Sequence, residues 1–189
     1  MTGYKRLAKN LLIGAFVFGL FSMAPIKYHL NVGAFNASTY NKMRFQMFVL
    51  KHVADSNDTV VLHINSPGGS VNTLVQYVNA VESSKAHTIS INEGMAASAG
   101  GVLAYATDER FAKPMSVYLF HKPWRFENGV RTLVPAESPS NIIILGYLKT
   151  EVFPVLTPDE IRRYIKGEDI VIFGPEMIKR DLTPVSESK

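Results

Sequence analysis

Thr59-Val60-Val61-Leu62-His63-Ile64, followed at once by Asn65-Ser66-Pro67-Gly68-Gly69-Ser70, decides the fold class of this chain. The first six residues are mostly β-branched or apolar, the composition of a strand, and the next six are turn formers. From Val71 to about Val81 apolar residues return at helical spacing. Strand, glycine turn and helix in succession form the unit of layered α/β proteins, whose functional groups collect where strands end. Two adjacent glycines let backbone N–H groups point outward with no Cβ in the way, so an anionic oxygen can be received there. A plain turn has the same composition, and the loop alone does not choose a chemistry.

Working outward, residues 27–37 read as an extended or linking piece, and Ser38 to about Val53 has helical spacing behind a serine cap. Downstream, His87–Ile91 is a strand, Asn92-Glu93-Gly94 a turn, and the small residues Ala96–Ala106 a closely packed helix. Val117–Phe120 is a third strand ending at His121. Lys122–Pro139, with three prolines and one glycine, reads as a long polar loop. A helix over about 141–153 follows, then a capping box at Thr157-Pro158-Asp159-Glu160, a strand at Asp169–Phe173 and a last helical turn over about 175–180. The alternation predicts an α/β fold with right-handed crossovers.

The chain has 189 residues, 47% of them hydrophobic and 19% charged, enough for one domain with a real core. It has no Cys, which excludes disulfides, a thiol nucleophile and thiolate-ligated metal. Of the net charge of +4, Lys5, Arg6 and Lys9 supply three, so neither a basic binding face nor nucleic-acid binding is indicated. Behind those cations residues 11–24 are apolar, and no charge appears until Lys27. Residues 1–26 therefore read as a signal peptide or membrane anchor, with 27–189 as the folded domain. A helix over Asn10–Ile26 would be roughly 25 Å long, slightly short for a hydrocarbon core of about 30 Å. Ser22-Met23-Ala24 suits cleavage, but Pro25 hinders it and favours an uncleaved anchor; a buried first helix of a soluble domain is the third reading. Cations ahead of the segment place residues 27–189 across the membrane, periplasm-facing if the source is bacterial, with a cytoplasmic location the alternative.

Two further strand ends carry unusual residues, which taken alone read equally as an N-cap serine and an ordinary surface or core histidine. Ser98, among small residues at a helix start, has room for a substrate carbonyl, and His121 closes the third strand. In order and spacing the three sites resemble a known family. Leu62–Val71 resembles the glycine-loop motif of the Clp protease proteolytic subunit, Met95-Ala96-Ala97-Ser98-Ala99-Gly100 its nucleophile motif, and Phe120-His121-Lys122-Pro123 its catalytic-histidine motif. The resemblance is good over about 58–123 and thinner beyond.

That resemblance implies the Clp/crotonase fold, a spiral of β-β-α units, and hydrolysis of polypeptides by a Ser/His/Asp triad with no metal or cofactor. By position Ser98 is the nucleophile and His121 the general base. The oxyanion hole falls to the backbone N–H groups of Gly69, assisted by Gly68, and of Ala99. Asp169, with Glu176 seven residues on, fits the family's aspartate; Glu168 and Asp159 are its competitors. A homo-oligomer is implied as well. Trp124–Gly129 lacks the family's glycine- and glutamine-rich strand segment, and Lys179-Arg180-Asp181 replaces a glycine turn. With the apolar N-terminus, these departures leave an ATPase unfoldase partner open. Two other readings are a membrane-associated Ser/Lys peptidase, with Lys113 or Lys122 as base, and a non-catalytic peptide-binding or assembly protein on the same fold.

Overall fold

In the computed structural model, residues 24–180 and the backbone of 183–184 are described. The apolar run expected to be a signal or anchor lies almost wholly outside them. No helix of the described residues is long and apolar enough to cross a membrane.

The chain builds a seven-stranded mixed sheet. Its spine is parallel: β1 (Lys27–Val32), β2 (Thr59–Ser66), β3 (His87–Ala97) and β4 (Glu109–Ala112) lie side by side in that order. The far end of β3 pairs in parallel with β5 (Val117–Phe120), which pairs antiparallel with β8 (Ile170–Phe173). A short β9 (Thr183–Pro184) runs beside β4. Val60, Leu62 and Ile64 of β2 are completely buried, as expected of a central strand. The α/β expectation holds, and the piece read as extended or linking is extended over Lys27–Val32, where it forms the edge strand β1.

Helices cover one face. α1 (Tyr40–Phe48) continues through a π-helical turn at Val49–Val53, and α2 (Val71–Glu82) packs against both. Leu74, Tyr77, Val78 and Val81 form the buried stripe of α2, and Ser70 caps it by accepting from the Thr73 N–H. A buried polar chain fixes these layers: Tyr77 donates to Gln46 Oε1 at 3.0 Å, and Gln46 donates to the Asn31 carbonyl at 2.9 Å. Each buried polar group in it is thereby satisfied. α3 (Ala99–Ala104) is short and wholly buried, as its small residues allow.

Two stretches depart from the sequence reading. Asn92-Glu93-Gly94 is not a turn: β3 runs on to Ala97 and changes neighbours there, pairing with β4 through Asn92 and with β5 from Met95. The Asn92 side chain bridges the switch, donating to the Val117 carbonyl and accepting from the Gly94 N–H. The long polar loop is in part a hairpin of its own, β6 (Trp124–Glu127) with β7 (Val130–Leu133), turning on Asn128 and Gly129, both at positive φ. α4 (Pro139–Glu151) and α5 (Pro158–Lys166) lead back to β8, and α6 (Gly174–Arg180) follows it. The capping box that opens α5 is present, with Thr157 and Glu160 bonded reciprocally.

Candidate active site

The parallel strands set down three loops at one end of the sheet. There a cavity of about 650 Å³ brings Gly68, Gly69, Ser98, Ala99 and His121 together, with Trp124 of the hairpin on its wall. Five of the six residues expected to form the site share one space; Asp169 does not line it.

Ser98 occupies the hinge between β3 and α3 with φ 54° and ψ −120°. A non-glycine residue held there costs on the order of 1–3 kcal/mol, a strain typical of residues that must present a side chain sharply. Its N–H donates to the Leu119 carbonyl at 2.7 Å, and its own carbonyl accepts from Val102. The turn is held from both sides.

Gly68 is the reason this turn has room. It lies at φ 91°, and a Cβ on it would come 2.5 Å from the Ser98 Cβ and 2.8 Å from the Ala97 carbonyl. Gly69, at φ 138°, is pressed from the other side, where a Cβ would meet the Phe35 carbonyl at 2.2 Å. Phe35 clamps the loop: its N–H donates to the Gly68 carbonyl at 2.8 Å, and its carbonyl accepts from Ser70 at 2.7 Å. Phe35 was not legible as a site residue, since it acts through its backbone. The Gly68 N–H donates to Ser66 Oγ at 3.1 Å, which commits that amide to the loop itself.

His121 Nδ1 lies 2.7 Å from the Lys122 carbonyl. A carbonyl only accepts, so Nδ1 carries the proton and Nε2 of the neutral ring keeps a lone pair. The Trp124 ring stands against the imidazole, with centroids 6.1 Å apart.

Asp169, just before β8, is held by Arg131 of the hairpin, whose two terminal nitrogens lie 2.9 and 3.3 Å from the carboxylate oxygens. The guanidinium holds the Asp169 pKa below the ordinary aspartate value, and a charged His121 lies close enough to lower it further. Arg131 also covers the Trp124 ring at 5.0 Å. The competing carboxylates are engaged elsewhere, Glu168 with Arg163 and Asp159 with Arg162. Neither lysine proposed as an alternative base lines the cavity: Lys122 Nζ donates to the Ile165 carbonyl, and Lys113 pairs with Glu93. His63 bridges His29 and Glu93 on the open face of the sheet, away from the cavity. Among the described residues no cluster of three His, Asp or Glu side chains could hold a metal ion.

ATP-dependent Clp protease proteolytic subunits from strains of Streptococcus pneumoniae are 39% identical over 71 residues, 36% of this chain and 36% of theirs. The match thus spans about a third of those relatives. The fold is similar to that of the 1510-N membrane-bound stomatin-specific protease, solved as a serine-to-alanine mutant (TM-score 0.64, 16% identity, 85% of this chain and 79% of that one). It is equally similar to a lysine-to-alanine mutant of that protein in complex with a substrate peptide (TM-score 0.64, 17% identity, 86% and 75%). The Clp protease family model matches residues 27–139, from the first strand through the glycine loop, Ser98, His121 and the hairpin, so this chain belongs to the Clp protease family.

Proposed function

We propose that the chain is a serine endopeptidase acting through Ser98, His121 and Asp169. The observation that carries this reading is the strained turn at Ser98, which faces the glycine loop and His121 across one cavity. Serine hydroxyl is a weak nucleophile until a base takes its proton. His121, protonated on Nδ1, offers Nε2 as that base and later returns the proton to the leaving amine. The oxyanion formed on the peptide carbonyl is received by the N–H groups of Gly69 and Ala99; Gly68 contributes by shaping the loop, since its amide is bonded to Ser66. Asp169 supports the imidazolium once Arg131 releases it.

The substrates are polypeptides, and the protein works as a homo-oligomer. Residues 1–26 act as signal or anchor and put the domain at or beyond a membrane, where no ATPase feeds it. The structurally similar protease is itself membrane-bound by description. That neighbour was also solved with a lysine replaced, which raises the Ser/Lys reading, but Lys113 and Lys122 are both tied elsewhere in this chain.

Peptide hydrolysis together with fluorophosphonate labelling tests the reading. The wild-type chain is expected to cleave unstructured peptides and to be labelled at Ser98, and Ser98→Ala to lose both while keeping its melting temperature. Wild-type turnover in Ser98→Ala would remove Ser98 from the mechanism.

A further inference from the structure

Charge is divided unevenly along this chain. Residues 1–54 carry seven Lys and Arg and no Asp or Glu, whereas residues 55–189 carry thirteen Lys and Arg against sixteen acids. Net charge alone hid a basic face, and the fold reveals it. Lys42, Arg44, Lys51 and His52 are exposed on α1 and its π-helical continuation, and no carboxylate among the described residues pairs with the three permanent cations. Between them stand Phe45, 65% exposed, and Phe48, 52% exposed, with Val53 at the end of the element. The inner side of the same helix is buried through Met43, Gln46 and Met47, so the outer face is fixed and unpartnered. A groove of about 310 Å³ runs beside it, lined by Arg44, Phe48 and Lys51 with Gln76 and Asn79 of α2.

The position of this face is informative. Lys27 pairs with Thr59, so the chain enters the sheet at the end where α1 and the π turn finish. Ile26, 40% exposed, is held there by its N–H to Asp58 Oδ1 at 2.8 Å and by its carbonyl, which accepts from Thr59 at 3.0 Å. Ile26 therefore joins the fold at residues 54–58, the segment that links the π turn to β2.

We propose that the outer face of α1 and its π turn is a docking surface for an anionic lipid bilayer. The inference rests on the reading that residues 11–26 bring the chain to a membrane. Exposed aromatic rings ringed by unneutralised cations match an anionic interface: rings enter the boundary between headgroups and acyl chains, and cations meet headgroup phosphates. Each Lys or Arg near such a surface adds to the attraction, which falls off within a Debye length. An acidic protein partner would be expected to meet the cations with carboxylates, but it gives no reason for the face to lie toward the end where the chain enters the sheet.

The absence of Cys makes the test clean. Full-length Phe45→Cys and Val17→Cys variants, each labelled with an environment-sensitive fluorophore, are mixed with vesicles carrying brominated lipid as quencher. Vesicles of phosphatidylcholine alone are compared with vesicles containing phosphatidylglycerol. The label at position 45 is expected to be quenched severalfold more with phosphatidylglycerol. That excess should vanish in Lys42→Glu/Arg44→Glu/Lys51→Glu, whose melting temperature and peptide turnover should match wild type. Quenching at 17 without quenching at 45 would overturn the docking face and leave the anchor standing. Quenching at 45 without quenching at 17 would support the face and reject the anchor. Equal quenching in both lipids would overturn the proposal. So would a spectral shift at 45 that grows with protein concentration and needs no vesicles, which would assign the face to a second copy of the chain.

Discussion

Arg131 and Asp169 form a two-point ion pair, 2.9 and 3.3 Å between guanidinium nitrogens and carboxylate oxygens, while His121 Nδ1 is turned onto the Lys122 carbonyl. The residue proposed to orient the histidine is thus held by the hairpin. Both partners are substantially exposed, at 43% and 38%, and such pairs are worth roughly 0.2–1 kcal/mol. The hold is weak enough for a bound substrate to break.

Arg131→Gln is expected to raise turnover, by up to about fivefold if the full worth of an exposed pair is released. Added salt should raise wild-type turnover in the same direction and leave the variant nearly unchanged. Steady-state kinetics at low and high salt check this; a fall in turnover would show instead that Arg131 supports the triad.

Asp169→Asn should preserve the fold and lower kcat by orders of magnitude, since the corresponding change in a serine protease triad costs about 10⁴. Glu168→Gln, which only frees Arg163 at the surface, should stay close to wild type. If the large loss appeared in Glu168→Gln and not in Asp169→Asn, the acidic role would move by one residue.

Gly68→Ala should damage stability and activity together. The left-handed backbone alone costs about 1–2 kcal/mol, and the new Cβ must displace Ser98 or the Ala97 carbonyl. Gly33→Ala, with nothing within 4 Å of the new Cβ, is the matched control and should stay within about 0.5 kcal/mol. Thermal unfolding of both variants provides the comparison.

Acid stability should depend on Glu160. Partial burial alone would raise its pKa, but the Arg180 guanidinium and the Thr157 cap outweigh that and hold it below the ordinary 4.5. A lowered folded-state value means that the stabilisation is complete above the ordinary pKa and is lost as pH falls through the lowered one. Glu160→Gln should therefore destabilise by about 1.5–3 kcal/mol near neutrality and make little difference near about pH 2. Denaturant unfolding at the two pH values decides it.

What could be read from the sequence was what is local. The strand ends are legible because turn formers and small residues sit beside β-branched runs, while the glycine loop, Ser98 and His121 stand out as a site only together, through the family resemblance. The hairpin was missed because its strands are flanked by Pro123 and Pro135, and only Trp124 and Thr132 are even half-buried. The apolar alternation of Trp124 and Phe126 with Arg125 and Glu127 lasts only four residues and is not matched in Val130–Leu133. The continuation of β3 was missed for the opposite reason: Asn92 and Gly94 are turn formers, but here they serve a strand changing partners, which depends on β5 far along the chain. Asp169 could be proposed from the family resemblance, whereas its grip by Arg131 joins residues 38 positions apart and exists only in the fold.

The β6–β7 hairpin forms a two-stranded sheet separate from the main one. A ribbon of that kind is marginal by itself in water. The Val134–Pro123 bond and Arg131 over Trp124 hold it together, while Trp124 against His121 and Arg131 on Asp169 tie it to the rest of the domain. Because the last of these is also the grip on the proposed triad, readiness for catalysis is coupled to a sub-global opening rather than to the stability of the domain. Opening the ribbon would free Asp169 but also withdraw Trp124 and Phe126 from the cavity wall, so the site's working range is bounded by the hairpin's own melting and not by that of the core.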